Sequence, residues 1–432
     1  MGAPWRKNAA IKSFEPLKEE IRTDVLVIGG GMTGLLCAYM LRQAGIDCVL
    51  AEAKRIGSGI TGNTTAKITS QHGLIYDRLL RSFGAEKAGL YLQANETALR
   101  KYRELCSGID CGFEEKDAFV YSLDSREKLE KEIAALDRLG FPAKFAEQLP
   151  LPFLTAGAVE FPKQAQFNPL RFMSAITEGL RIYEHTAVQE LIERTAVTKD
   201  GKIFADNIII ATHFPFINKH GSYFLKMYQQ RAYVIAVEGG ADLRGMYVDE
   251  AEGGMSFRNA GELLLIGGRG RRTGKKSRGW RELQDFAEQY YPEAEEKYRW
   301  AAQDCMTLDG VPYIGKYSER TRELYTATGF NKWGMTGSMV AAMLLADLIQ
   351  GKENPYAALF SPSRSMLRPQ LAINAFEAAI SLLTPSVRRC PHMGCALKWN
   401  DSEHTWDCPC HGSRFGMDGR LLENPSMGGL KK

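Results

Sequence analysis

The chain has 432 residues, room for two or three domains at roughly 150 residues each, and its 44% hydrophobic and 25% charged content is that of a folded globular protein rather than a disordered or fibrous one. The formal net charge of +4 leaves no strong overall field to draw the chain to nucleic acid or to a membrane, and a nucleic-acid partner is not expected. The longest apolar stretch, Met339 to Ile349, contains Asp347 and is shorter than the ~20 residues of a bilayer span. The first twenty residues lack the apolar centre of a secretory signal, so no membrane span and a cytoplasmic location are expected.

In chain order, residues 1–22 read as a polar leader. Asp24 to Ile28 (DVLVI) is a short apolar run of strand type, followed at once by Gly29-Gly30-Gly31-Met32-Thr33-Gly34. Leu35 to Ala44 reads as a helix closed by Gly45, and Cys48 to Glu52 as a second strand. Together they open a parallel sheet. Residues 76–140 are mostly helical in pattern, with a strand-like piece at Phe119–Tyr121. Gly201 to Ala211 runs as a hairpin into a buried strand, and residues 228–268 alternate as strands do. Thr336 to Gln350 is an amphipathic helix. Pro355 to Arg389 is a proline-punctuated linker with one helical stretch, Pro369 to Leu383, and Cys390 to Lys432 is a small separate module.

Gly29, Gly31 and Gly34 form G-x-G-x-x-G between a strand and a helix. The first glycine permits the tight turn, the second lets a pyrophosphate approach the backbone, and the third lets helix and strand pack closely. Phosphates then meet the free N–H groups of the helix N-terminus. Glu52 ends the next strand, where a carboxylate can hold ribose hydroxyls and argues against a 2′-phosphate, hence against NADP. The bland alternative is a tight turn without ligand. The similar run Leu263–Gly274 lacks glycine at the sixth motif position, so a second nucleotide site is not expected.

The run Ile56 to Lys67, with Thr64 and Thr65, resembles the segment that follows the ribose acid in D-amino-acid-oxidase-like FAD oxidoreductases of the glycine oxidase type. Ile208 to His213, with Ala211 and Thr212, resembles that family's strand-to-turn near the flavin. Asp309 to Gly315 resembles its Asp-Gly-x-Pro box, with Leu308 in place of a leading proline. Thr328 to Thr336, with Gly329, Gly334, Met335 and Thr336, resembles its last flavin-contacting turn. The resemblance spans residues 22–360. It implies an α/β fold: an FAD-binding Rossmann-type domain (segments about 22–75, 150–213 and 305–355) with an inserted α+β substrate domain (about 76–149 and 214–304). It further implies that Gly29, Gly31, Gly34, Glu52, Thr64, Thr65, Ala211, Thr212, Gly329, Gly334, Met335 and Thr336 bind FAD. Some members attach flavin through a cysteine, but the spacing of Cys305 matches poorly, and a core or pocket-lining thiol is the alternative.

Of nine cysteines, Cys37, Cys48, Cys106, Cys111 and Cys305 are scattered. Cys390, Cys395, Cys408 and Cys410 crowd together with His392 and His411. That clustering argues against a chain-wide disulfide framework and for a local metal site. The boxes Cys390-Pro391-His392-Met393-Gly394-Cys395 and Cys408-Pro409-Cys410-His411-Gly412-Ser413 resemble those of Rieske iron–sulfur proteins. The resemblance implies a [2Fe-2S] cluster with Cys390 and Cys408 on one iron and His392 and His411 on the other. It also implies a Cys395–Cys410 disulfide and a hydrogen bond from Ser413 to the cluster. Phe415 stands where the highest-potential members have tyrosine. A zinc knuckle is the alternative, although six candidate ligands exceed the four that zinc takes. Residues 361–389 are read as linker and 390–432 as a small, truncated Rieske β module. So small a unit needs the cluster, the disulfide or docking to hold it.

A flavin takes two electrons at once and a Rieske centre carries one, so their fusion implies a dehydrogenase that passes electrons singly to an unknown acceptor. By the resemblance, the substrate is an amine or amino acid. The alternative is an oxygen-using oxidase with a zinc-bearing or vestigial tail, and a third reading is a non-catalytic electron carrier. No catalytic residue is assigned. Arg231, Tyr233, Arg258 and Tyr247 are candidate substrate contacts or plain sheet residues, and His72 could face the flavin or serve structurally. The basic stretch Arg269–Arg281 is either a solvated loop or a docking patch.

Overall fold

The apolar run at residues 24–28 becomes the buried half of a strand, Glu20–Ile28, in the computed structural model, which describes residues 2–7, 11–217 and 220–430. Cys48–Ala51 and Lys202–Ile210 flank it in parallel, and Arg181–Tyr183 and Leu324–Thr328 extend the sheet on either side. Tyr313–Lys316 closes one edge antiparallel. Ile28 lies opposite both Ile210 and Ala51. The turns beginning at Gly29, Glu52 and Ala211 therefore leave the sheet along one carboxyl edge, where ligands bind in open α/β sheets. The helices Met32–Gln43 and Gly334–Ile349 pack together over this sheet, and the hydroxyls of Thr33 and Ser338 hydrogen-bond at 2.8 Å between them.

A nine-stranded mixed sheet forms the second layer. Its order is Glu295–Thr307, Met227–Glu238, Leu263–Arg272, Met255–Ala260, Met246–Asp249, Glu114–Ser122, Gly157–Gln166 and Lys67–Ile68, with Lys144–Ala146 also paired to Gly157–Gln166. The expected segment 150–213 therefore divides between the two sheets. Helix Tyr76–Cys106 packs along Gly334–Ile349, and the Tyr102 hydroxyl donates to Met335 O at 2.9 Å. Periodicity showed that these segments bury a face, but not which layer covers it.

The leader is no solvated tail where it is described. Trp5 is buried, donates to Gly62 O, and meets Trp300 edge-on at 5.9 Å, while Arg6 donates to Ser58 O at 2.8 Å. Residues 1 and 8–10 of that leader, like 218–219 and 431–432, lie outside the described residues. The expected linker helix forms over Pro369–Leu383 and is anchored ahead of its start, where Arg364 pairs with Asp309 at 2.7 Å, both nearly buried.

Beyond it, four short antiparallel strands run in sequence: Lys398–Asn400, Thr405–Asp407, Arg414–Phe415 and Leu421–Glu423. Their small core is made of Cys390, Cys395, Leu397, Cys408, Cys410 and Phe415. The module gains support from the nine-stranded sheet. Arg231, on Met227–Glu238, pairs with Glu403 and, at 3.2 Å, with Glu423, and Arg414 bridges Glu403, Asp407 and Glu423 from within.

Candidate functional site

A cavity of about 620 Å3 opens at the carboxyl edge of the parallel sheet. Gly29 sits at φ +114°, where a side chain would meet Ala211 O at 2.6 Å, so the turn closes only with glycine. Gly34 faces away from the cavity: its absent Cβ leaves room for Gly29 O, which would lie 1.8 Å from it. Gly34→Ala is therefore expected to push the helix off the strand and abolish FAD retention, read as loss of the yellow absorbance in purified protein. Retention at wild-type level would show that the turn is not the dinucleotide cradle.

Glu52 lines the cavity, and its carboxylate accepts from the amides of Gly30 (2.6 Å) and Lys54 (2.7 Å). Burial raises its pKa, and those two amides oppose the rise. Gly31, Thr64, Thr65, Ala211, Thr212, Gly334 and Met335 also line the cavity. Gly329 and Thr336 do not. Gly329 packs beneath Thr307, and the Thr336 hydroxyl accepts from Thr69 N at 3.0 Å and donates to Thr69 O at 2.8 Å, pinning the helix start. Sequence reasoning did not single out Lys67, His213, Asp304 and Lys332, which also border the cavity. Burial, then Arg258, draws Lys67 down to about 7. Burial lowers Lys332, with Asp304 opposing. His213 Nε2 is buried with no hydrogen-bond partner among the described residues.

In the module, Cys395 and Cys410 are disulfide-bonded with Cα atoms 6.7 Å apart. Cys390 and Cys408 remain free and buried. Cys390 is drawn below the ordinary thiol value, first by the hydrogen bond from the Cys408 thiol and, against burial, by further bonds that include the Ser413 hydroxyl. The His392 and His411 rings lie 5.0 Å apart. His411 Nε2 donates to Phe224 O at 3.0 Å, which leaves its buried Nδ1 as a lone-pair donor with no hydrogen-bond partner among the described residues.

The family described as FAD dependent oxidoreductase matches residues 24–348, and the Rieske [2Fe-2S] domain matches residues 385–432. The chain belongs to the FAD-dependent oxidoreductase family and carries a C-terminal Rieske [2Fe-2S] domain. It is 35% identical to the Rieske 2Fe-2S iron–sulfur protein YhfW of Bacillus subtilis (strain 168), over 99% of this chain and 96% of the relative. It is 24% identical to gamma-glutamylputrescine oxidoreductase of Escherichia coli (strain K12), over 80% and 88%. Among solved structures, glycine oxidase from Geobacillus kaustophilus shares the fold at a TM-score of 0.66 and 22% identity, over 80% of this chain and 99% of that one.

The residues of this FAD-dependent oxidoreductase fit both groups. The glycine turn leaves a cradle that a Cβ would fill, and the His411 Nδ1 lone pair has a buried place to point. The candidate substrate contacts land elsewhere. Arg231 anchors the Rieske domain, and the Tyr233 hydroxyl accepts from Asn400 of that domain. Arg258 donates to Thr65 O and Asn259 O and lies over the Trp5 ring, and Tyr247 stacks on Phe119 while donating to Leu243 O. His72 bonds Tyr91 and Thr69 O and stacks on the back of Trp333, outside the cavity. Cys305 lines the cavity as a buried thiol whose pKa burial raises strongly. Part of the basic stretch packs against the chain's own Rieske domain: Arg272 donates to Pro409 O, and Gly274 and Gly279 lie against Pro409 and Ser402.

Proposed function

We propose that this FAD-dependent oxidoreductase dehydrogenates an amine or amino-acid-like substrate at the C–H beside nitrogen and delivers the electrons singly, through its Rieske domain, to an external one-electron acceptor. One observation carries the reading: the two halves share a wall. Leu421 to Asn424, Ser426 and Met427 of the Rieske domain line the same cavity as Gly29 and Glu52. Asn424 Nδ2 donates to Thr212 O (3.0 Å) and Phe214 O (2.9 Å), and the Phe214 ring lies edge-on to His392 and His411 at 6.4 and 6.2 Å. Thr212 and His213 at the cavity border are thus consecutive in sequence with Phe214, the ring that meets both candidate ligand histidines.

When bound, FAD would supply two-electron oxidation and the cluster one-electron transfer. Gly29, Gly31 and Glu52 would hold the dinucleotide, and Cys390, His392, Cys408 and His411 the cluster. Lys67, with its pKa near 7, can hold or release a proton at Nζ close to neutral pH, as a substrate entering as an ammonium ion requires. Support for the substrate class comes from relatives named for gamma-glutamylputrescine and glycine.

The test is an anaerobic panel of amines and amino acids added to purified protein. The expected result is flavin bleaching by at least one compound, followed by a reduced-cluster resonance spectrum. If no compound bleaches the flavin, the dehydrogenase reading fails. Bleaching without any cluster reduction would leave an oxidase with an idle C-terminal domain.

A further inference from the structure

Helix Pro369–Leu383 is inside out. Its two buried residues are polar, Asn374 accepting from Arg272 at 3.0 Å and the Ser381 hydroxyl donating to Ala396 O; beside them Ala378 packs on the core of the C-terminal module and the half-buried Glu377 turns to Lys275 at 2.8 Å. Its outward residues are apolar. Ile373, Phe376 (66% exposed), Ile380, Leu382 and Leu383 (82% exposed) all face away from the protein, with Leu367 before the helix and Val387 after it. Burying one such side chain is favourable by itself, and a contiguous exposed patch of this kind marks an interaction surface.

The patch is continuous with the first cluster loop. Ala396 N donates to Ser381 O at 3.0 Å, Arg389 donates to both Leu382 O and Gly394 O, and Met393, next to His392, is itself exposed. Charge at the patch is of one sign. Glu377 is the only carboxylate in residues 361–400, and it faces inward. Arg388, Arg389 and Lys398 are exposed and form no ion pair among the described residues. A symmetric dimer through this face would bring two cationic rims together. An anionic lipid surface instead complements both features, apolar side chains entering the acyl boundary and cations meeting headgroups.

We propose that the outward face of Pro369–Leu383, with Leu367, Val387 and Met393, seats the protein on an anionic membrane surface and holds the first cluster loop beside it. This lies beyond the redox reading and does not depend on it. No helix among the described residues is long and apolar enough to cross a membrane, so the seating is peripheral.

Full-length protein is to be sedimented with vesicles of mixed phosphatidylglycerol and phosphatidylcholine, and with phosphatidylcholine alone, at low and high salt. The expected result is binding to the anionic vesicles, weakened by salt. Binding should fall by more than about tenfold in a variant carrying Ile373→Ser, Phe376→Ser and Ile380→Ser, and should weaken in Arg388→Gln with Lys398→Gln. Should the serine variant fold poorly, Phe376→Trp reports independently: the emission it adds over the six native tryptophans, taken as the difference from wild type, should shift to the blue on anionic vesicles only. Absence of binding to anionic vesicles, equal binding by the serine variant, or an unshifted tryptophan overturns the proposal. A dimer that the serine substitutions dissociate, without vesicle binding, also overturns it and assigns the face to a second copy.

Discussion

Cys408→Ser is expected to empty the protein of iron and sulfide and, in the same step, to loosen its hold on FAD by more than about tenfold. Cys408 is fully buried at the centre of a core of six side chains, four of them cysteines. So small a core has little hydrophobic stabilisation of its own, and metal binding in such a unit contributes directly to folding. If the domain loosens, Leu421 to Met427 leave the cavity wall, and Asn424 releases Thr212 and Phe214. Iron and sulfide assays with equilibrium dialysis against FAD measure both effects. An iron-free variant that binds FAD as tightly as wild type would show that the Rieske domain does not close the cavity.

Arg231→Met should destabilise the protein by about 3 kcal/mol, because it removes one of two cations from a buried network and leaves Glu403 and Glu423 to share Arg414 with Asp407. The network also has a pH signature. Burial pushes the Glu423 carboxyl up, but Arg231 and Arg414 more than reverse this and bring it to about 2. Glu403 is likewise raised by burial and carried below its usual value by Arg231. Both folded-state values lie below an unfolded value of about 4.3. Their stabilisation is therefore present above that pH and is lost as pH falls toward 2. Melting curves from pH 6 to 3 should show a steep acid loss in wild type and a shallower one in Arg231→Met, which has less to lose. Equal slopes would remove the network from the account of how the domain is held.

The strand, glycine turn and acid were legible because each depends on local backbone geometry. Gly29 and Glu52 meet the same cavity because their strands are in register at Ile28. The cysteine and histidine boxes were legible for the same reason. Counting ligands, however, does not separate iron from zinc once the Cys395–Cys410 disulfide removes two of the six; the match to the Rieske domain does. What stayed hidden was the partner of each exposed-looking group. Arg231 and Tyr233 read as possible substrate contacts, since a strand's alternation says which face a residue takes but not that a domain about 170 residues later will cover it. Thr336 packs behind its cofactor-type turn because successive residues at a helix start point in different directions, and Gly329, just past the strand Leu324–Thr328, lies under Thr307 of the neighbouring sheet.

The shared wall also sets an order of events during biosynthesis. Residues 421–427 emerge from the ribosome after every other lining of the cavity has been made. A nascent chain can fold its parallel sheet and form the glycine turn early, yet the cleft has one side missing until this segment arrives. A dinucleotide held in that cleft would then be fully enclosed only after the last residues of the chain had folded against it.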